Sequence, residues 1–198
     1  GIHCGIRKNR SKRDLALIFS DTMCDAAAVH TTNKVKGAPN VVTADNLKDG
    51  RAQALICNSG NANTCNADGI EKARRMCQIV AERLNLRAED VIVASTGVIG
   101  QVLPIEPIEQ GADELVSMLS KDGAHDAAEA IMTTDTRLKE YAVEFVLNDK
   151  KCIMGAMAKG SGMIHPNMAT MLCFITTDVS IDHGLLREAL LNVSDDTF

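Results

Sequence analysis

Residues 68–100, DGIEKARRMCQIVAERLNLRAEDVIVASTGVIG, decide the fold. After Asp68-Gly69, apolar residues recur at helical spacing from about residue 70 to residue 84, which predicts an amphipathic helix. The apolar set is Ala73, Met76, Cys77, Val80 and Leu84. Residues 91–94 then form a short apolar run, typical of a buried strand, and lead directly into the polar, glycine-containing residues 95–100. A helix that alternates with a buried strand indicates a layered α/β protein.

The segments on either side continue this alternation. Residues 15–19 (LALIF) and 54–57 (ALIC) predict two further buried strands, and residues 26–29 predict a second short element. The remaining predictions are a loop at 33–39, helices at 107–119, 126–131 and 182–193, a hairpin of 141–147 and 152–157 around 148–151, and a strand at 169–176. The fold class is therefore α/β or α+β.

The composition excludes some classes of function. The chain has 198 residues, which suits one domain, and a formal net charge of −5 with a pI of about 5.5. Such an acidic chain, with 3% aromatic residues and no Trp, is not expected to bind nucleic acid or an anionic membrane. No apolar run approaches the roughly 20 residues that a membrane helix needs. A small anionic substrate stays compatible with the charge, since one or two local cations suffice.

The cysteines and the chain ends add two expectations. The seven cysteines are scattered and contain no C-x-x-C pair, which predicts reduced thiols in the cytoplasm or an equivalent organelle compartment. The chain begins at Gly1 without Met and stops at Phe198, just after a predicted helix. We therefore expect residues 1–198 to be one incomplete domain of something larger.

Common cofactor and catalytic motifs are missing from the sequence. It contains no G-x-x-x-x-G-K-[ST] loop, no G-x-G-x-x-G between a strand and a helix, and no G-x-S-x-G elbow. The five His residues are isolated, so we expect neither a metal nor a cofactor. Three glycine-containing segments, residues 57–64, 95–100 and 159–162, fit either tight turns or ligand contacts. The basic residues 7–13 predict a solvated turn before the first strand.

Residues 158–172 combine several features that could support chemistry. Lys159 precedes Gly-Ser-Gly, and Ala169-Thr170 opens an apolar stretch. A small residue before a Thr lets the hydroxyl approach the preceding carbonyl, and an N-to-O acyl shift would then cut the chain there. The freed α-amine of Thr170 has a pKa of about 8 and could serve as the base for the Thr170 hydroxyl. A Thr that begins a strand is also common for structural reasons alone, so both interpretations stay open at this point.

The same segment resembles a known cleavage motif. Residues 159–172, KGSGMIHPNMATML, are similar to the self-cleavage motif of the glutamate N-acetyltransferase family, the ornithine acetyltransferases. Three more blocks match in the same order, namely residues 57–65 (CNSGNANTC), 94–100 (ASTGVIG) and 133–136 (TTDT). Four blocks in register over most of the chain are highly specific. The resemblance implies a sheet-and-helix sandwich of the ornithine acetyltransferase and self-cleaving aminopeptidase type, similar to N-terminal-nucleophile proteins.

The resemblance also implies a precursor that cuts itself between Ala169 and Thr170. Residues 1–169 would be the alpha chain and residues 170–198 the start of the beta chain, and both would stay together in a heterotetramer or a larger oligomer. The enzyme would move an acetyl group from N2-acetylornithine to glutamate through an ester on Thr170, a reaction of arginine biosynthesis. Some family members also accept acetyl-CoA as the donor.

Residue roles follow from the matching positions. Thr170 would be the nucleophile, and the backbone or hydroxyl donors of Thr96 and Gly97 would stabilise the oxyanion. Thr133, Lys159 and Thr170 would contact the substrate, with the Lys159 ammonium suited to the α-carboxylate that acetylornithine and glutamate share. Further substrate-binding groups of the family lie beyond Phe198. The resemblance gives residues 58–64 a structural or pocket-lining place and no catalytic role.

Two other functions stay open at the level of the sequence. A related self-cleaving aminopeptidase would form the same acyl-enzyme but admit water in place of the acceptor. A glycine-rich binding module without enzymatic activity would use Thr170 only as a structural residue. Release of acetate without glutamate would indicate the first, and a Thr170→Ala protein that keeps its ligand would indicate the second.

Overall fold

A computed structural model describes residues 1–160 and 171–197 of the protein. These residues form two three-stranded sheets and five helices, which confirms the α/β prediction. The strands are β1 (Leu15–Asp25), β2 (Arg51–Asn61), β3 (Val91–Val98), β4 (Lys139–Leu147), β5 (Lys150–Lys159) and β6 (Leu172–Thr177). The helices are α1 (Ala38–Asn46), α2 (Gly69–Leu84), α3 (Glu106–Ser117), α4 (Ala124–Ala130) and α5 (His183–Thr197).

The first sheet has the order β1-β2-β3, with β1 antiparallel and β3 parallel to β2. The second sheet is an antiparallel meander in the order β4-β5-β6. Helix α2 connects the two parallel strands, as a parallel pair requires. The carboxyl ends of β2 and β3 therefore meet at one edge of the first sheet, and there Ser59 lies opposite Thr96 and Gly60 lies opposite Gly97.

Strand β2 is buried on both faces, and its alternating side chains enter two different cores. Ala54 and Ile56 belong to the larger core, which the first sheet forms with α1, α2 and α3. Cys57 belongs to a smaller core together with Ala16 and α4, and Leu55 packs against it. The second sheet contributes Met157, Leu172 and Phe174 to this smaller core. Helices α1, α2 and α3 thus cover one face of the first sheet, and α4 and the second sheet lie on its other face.

Helix α1 covers the free edge of the first sheet at β3. The Thr43 hydroxyl donates a hydrogen bond to the Val93 carbonyl at 2.6 Å and accepts one from the Val93 N–H at 2.9 Å. An edge strand otherwise leaves such groups unpaired. This helix falls partly in the predicted loop 33–39, because Gly37 and Pro39 resemble turn residues. Pro39 instead lies in the first turn of the helix, where its missing N–H costs nothing.

Other sequence predictions need correction at their boundaries. The predicted element at 26–29 is wrong, since these residues form neither helix nor strand. The predicted strand 54–57 is too short, because β2 runs from Arg51 to Asn61 and so includes part of the 57–64 segment. Helix α2 and the β4–β5 hairpin are confirmed to within about two residues. Within the described part of the chain, no helix has the length and apolar character to span a membrane.

Candidate active site

The carboxyl ends of β2 and β3 form a tightly packed junction of two glycines. Gly97 has a φ angle of +136° and Gly60 has a φ angle of +104°, conformations that other residues rarely adopt. A Cβ atom at Gly97 would lie 2.5 Å from the Asn61 nitrogen and 2.6 Å from the Gly60 carbonyl oxygen. The pairing register also shifts between Gly60 and Asn61, as in a β-bulge. Only glycine therefore fits at position 97.

Three asparagines fix the backbone around this junction. Asn58 is fully buried, donates a hydrogen bond to the Asn61 carbonyl at 2.9 Å and accepts one from the Ser95 hydroxyl at 2.6 Å. The Asn61 amide donates to the carbonyls of Gln101 and Val102, and the Asn63 amide donates to the Gly69 carbonyl. These bonds explain why Asn residues can continue a buried strand, since each side-chain nitrogen has a partner. The buried side-chain oxygen of Asn63 forms no hydrogen bond with the residues that the structure describes. The asparagines have the structural place that the sequence analysis considered.

Ser59 differs from these asparagines. Its side chain is fully buried, and its hydroxyl forms no hydrogen bond with the residues that the structure describes. Ser59 lies two positions after Cys57 on β2, so both side chains point to the side where the two sheets meet. A buried hydroxyl normally has a partner. The sequence analysis gave Ser59 no individual role, and its only signal is its place in the 57–65 block.

Lys159 lies at the end of β5, and only 4% of its surface is exposed. Burial lowers the pKa of its ammonium, and the nearby Lys139 acts in the same direction, whereas Asp135 and Cys57 oppose the shift. Burial raises the pKa of the Cys57 thiol to about 12, against a weaker effect of Lys159. Lys159 is thus a buried lysine near Cys57 of the small core. A buried cation costs free energy unless it serves a partner.

Asp135, the acidic residue of the 133–136 block, connects two of the sequence blocks. Its side chain is 3% exposed and accepts hydrogen bonds from the N–H of Thr133 at 3.2 Å and the N–H of Gly160 at 2.9 Å. Lys139 donates a third bond at 2.6 Å. Burial opposes ionisation of this carboxyl, but the bonds from Lys139, Gly160 and Thr133 outweigh it and lower its pKa. Asp135 therefore holds Thr133 beside the end of β5. The sequence analysis assigned it no role.

The predicted site residues come from three blocks, 94–100, 133–136 and 159–172, and the structure places them at or beside the ends of strands. Thr96 and Gly97 end β3, Lys159 ends β5, and Thr133 reaches Gly160 through Asp135. Ala169 and Thr170 lie outside the described residues. Leu172, two residues further along, pairs with Lys159 across β5 and β6 and packs against the small core. Among residues 1–160 and 171–197, no cluster of three His, Cys, Asp or Glu side chains is suited to a metal ion.

Replacing Lys159 by Met tests whether the buried amine serves function and not stability. Folding lowers the pKa of Lys159, so the folded state disfavours the ammonium form. The free energy of unfolding therefore rises with pH between the lowered pKa and 10.5. The Lys159→Met protein is expected to melt at the same or a higher temperature at pH 7, an advantage that shrinks as the pH approaches 10.5. The acetyl transfer that the sequence resemblance implies should nevertheless fall about thirtyfold or more in kcat/KM.

Lys151→Met is the matched control for this experiment, since Lys151 lies on the same strand and its side chain is 75% exposed. Thermal melting between neutral and alkaline pH and a transfer assay give the two readouts. A Lys159→Met protein that loses stability and keeps full activity would show that the amine has a structural role.

Known proteins are similar to this chain in sequence. A model of the ArgJ family matches residues 1–198. The chain is 50% identical to the arginine biosynthesis bifunctional protein ArgJ of Caldanaerobacter subterraneus over 100% of this chain and 49% of that protein. It is 46% identical to the ArgJ protein of Thermotoga neapolitana over 100% of this chain and 50% of that protein. The chain thus spans about half the length of these relatives.

Two solved structures have a similar fold. The crystal structure of the ArgJ protein from Bacillus halodurans has a TM-score of 0.77 and 41% identity, over 85% of this chain and 88% of that chain. The ornithine acetyltransferase from Mycobacterium tuberculosis, solved in complex with ornithine, has a TM-score of 0.72 and 33% identity, over 87% of this chain and 90% of that chain. The family resemblance of the four sequence blocks is confirmed, and the chain belongs to the ArgJ family.

Proposed function

We propose that this chain is part of a self-cleaving acetyltransferase that moves the acetyl group of N2-acetylornithine to glutamate through an acetyl ester on Thr170. The junction of Thr96 and Gly97 with the buried Lys159 and the Asp135-linked Thr133 carries the proposal. These groups come from separate sequence blocks and match the family positions. The names of the relatives include arginine biosynthesis and a bifunctional activity, which supports acetyl-CoA as a second donor. The proposed setting is the cytoplasm.

Cleavage between Ala169 and Thr170 is the first proposed step: Thr170 Oγ attacks the Ala169 carbonyl, the acyl group moves from nitrogen to oxygen, and water hydrolyses the resulting ester. It would leave residues 1–169 as the alpha chain and give Thr170 a free α-amine at the start of the beta chain. An α-amine has a pKa of about 8 and is partly unprotonated at neutral pH. It can therefore accept the proton of its own hydroxyl as Oγ attacks the acetyl carbonyl. The tetrahedral intermediate collapses as the α-ammonium returns this proton to the leaving nitrogen of ornithine, and glutamate then takes the acetyl group by the reverse sequence.

Stabilisation of the oxyanion is assigned to Thr96 and Gly97. An oxyanion gains most from donors that are already held in place before the reaction, because no reorganisation is then needed. The constraint on Gly97 from the Gly60 and Asn61 backbone and the hydrogen bonds of Asn58 and Asn61 support such rigidity. Each donor is expected to increase the rate of acetyl transfer by a factor of about 10²–10³.

Substrate recognition is assigned to Lys159 and Thr133. Acetylornithine and glutamate share an α-carboxylate, and a buried ammonium binds such a group strongly because little water competes. The lowered pKa of Lys159 supports this assignment, since a carboxylate partner would restore the charged form. Thr133, held by Asp135, would contact the same substrate. No cofactor enters this chemistry.

The proposed partner of these residues is the rest of the beta chain. One face of the second sheet is apolar and open to solvent, with Tyr141 76%, Val143 39% and Ile175 48% exposed. Tyr141, Ala156 and Ile175 lie side by side across β4, β5 and β6, so the apolar surface is continuous. Such patches mark contact surfaces. We propose that the remaining half of the relatives' length covers it, in a heterotetramer or a larger oligomer.

Intact mass spectrometry of the full-length protein tests the proposal. The expected spectrum contains two pieces, of which one begins at Thr170. Addition of N2-acetylornithine without acceptor should add the mass of one acetyl group to that piece, and glutamate should then remove it. Formation of free acetate at the rate of transfer would favour the aminopeptidase-like alternative. An uncut protein that never gains the adduct would refute the proposal.

A further inference from the structure

The N-terminal segment before β1 wraps around a buried carboxylate. Asp14 is fully buried, and its side chain accepts hydrogen bonds from the backbone N–H groups of Cys4 at 2.6 Å, Gly5 at 3.2 Å and Arg7 at 2.9 Å. The Asp14 carbonyl also accepts the N–H of Ser59 at 2.8 Å. Charge-assisted bonds of this kind are strong. The backbone of Arg7 is therefore fixed relative to the end of β2.

The side chain of Arg7 extends from this anchor to the 133–136 block. One guanidinium nitrogen donates a hydrogen bond to the Met132 carbonyl at 2.9 Å, and the other donates to the Thr133 carbonyl at 3.3 Å. Because both bonds end on consecutive carbonyls, they fix the direction of the peptide that leads into Thr133. Asp135 holds the other side of Thr133 through its N–H. The backbone of Thr133 is thus held on both sides.

The aliphatic part of Arg7 lies against the glycine junction. A Cβ atom at Gly60 would lie 2.9 Å from Arg7 Cγ, so the absence of a side chain at position 60 makes room for the arginine. Gly60 is the register partner of Gly97. Arg7 therefore contacts the strand end beside the proposed oxyanion donors and, with its guanidinium, the proposed substrate residue Thr133. These two parts of the site are far apart in sequence.

We propose that Arg7 is a positioning residue of the acetyl-transfer site, which sets the distance of Thr133 from the β2–β3 junction. This inference rests on the proposed function for its kinetic consequence. The solvated turn expected for residues 7–13 is wrong for Arg7 and also for Arg13. Arg13 forms ion pairs with Asp126 and Glu129 and so attaches the same segment to α4.

The test compares Arg7→Met, Arg7→Lys and Arg10→Met in the full-length protein. In Arg7→Met, the side chain keeps an aliphatic stem against Gly60 but loses both donor nitrogens. In Arg7→Lys, one donor nitrogen remains. Arg10 is an exposed residue of the same segment and serves as the control. In Arg7→Met, KM for N2-acetylornithine is expected to rise about tenfold while kcat stays within about threefold. Arg7→Lys should recover part of this loss, and Arg10→Met should behave as the wild type.

Amide hydrogen exchange provides a readout that does not depend on activity. The peptide that covers residues 130–136 should exchange faster in Arg7→Met than in the wild type, and at the wild-type rate in Arg10→Met. Unchanged exchange in this peptide, or faster exchange with an unchanged KM, would overturn the role of Arg7. A wild-type protein without acetyl transfer would refute the proposed function, and the exchange comparison would still decide whether Arg7 positions Thr133. If Arg7→Met does not fold, Arg7→Lys serves for both measurements.

Discussion

A full-length Thr170→Ala protein is expected to remain one uncut chain and to lose acetyl transfer by about 10⁴-fold or more. The variant lacks the hydroxyl that would attack the Ala169 carbonyl during cleavage, and it lacks the nucleophile that would carry the acetyl group. It also never gains the α-amine that would act as base. Denaturing electrophoresis and intact mass report the cleavage, and a coupled assay of ornithine release reports the transfer.

Thr170→Ser is the matched variant for this prediction. Ser supplies the same hydroxyl and, once cut, the same α-amine, so cleavage and transfer should both persist at a reduced rate. Thr177→Ala, at the exposed end of β6, controls for the loss of a threonine elsewhere. Efficient cleavage of the Thr170→Ala protein would remove Thr170 from the mechanism.

Gly97→Ala is expected to have the second largest effect. Alanine is disfavoured at a φ angle of +136°, and its Cβ would collide with the Gly60 and Asn61 backbone, which cannot move as a side chain can. Backbone strain and overpacking together should lower the free energy of unfolding by about 2–6 kcal/mol. Any folded fraction should transfer acetyl groups about 10²–10³ times more slowly, because the Gly97 donor is displaced. Thermal melting and single-turnover acetylation measure the two losses.

Gly100→Ala separates the two causes. Gly100 also has a positive φ angle, +79°, but a Cβ atom there would meet no atom of the described residues within 4 Å. The Gly100→Ala protein should therefore lose only about 1 kcal/mol of unfolding free energy, from the unfavourable backbone conformation, and should transfer acetyl groups at close to the wild-type rate. Equal losses in both variants would mean that contact with the Gly60 peptide is unimportant.

The parts of the fold that could be predicted are those in which hydrophobic periodicity and burial agree. Helix α2 shows one clear apolar face, and the predicted apolar positions Ala73, Met76 and Val80 are buried. The extension of β2 through Asn58 could not be predicted, because Asn is rare in strands unless specific partners satisfy its amide. Those partners, Ser95 and the Asn61 carbonyl, become neighbours only after folding.

The candidate site follows the same division. The family motifs gave Thr96, Gly97, Thr133 and Lys159, and the fold brings their blocks together. The contributions of Arg7 and Asp135 needed the structure, since an arginine in a basic run and an aspartate in a polar block both fit a solvated surface. Their hydrogen bonds to the backbone of Met132, Thr133 and Gly160, together with the burial of Asp135, distinguish them from surface charges.

The pairing of β5 with β6 has a consequence for how the mature protein is assembled. Six residue pairs, from Met154–Thr177 to Lys159–Leu172, join these strands, and the His183 ring on α5 donates a hydrogen bond to the Ala26 carbonyl at 2.8 Å. Once the proposed cut is made, one sheet contains strands from two polypeptides. When two cut preparations that carry different labels are incubated together, the alpha chain of one should not pair with the beta chain of the other. Refolding of the cut protein from denaturant should also become second order in concentration, whereas the uncut precursor folds in a first-order reaction.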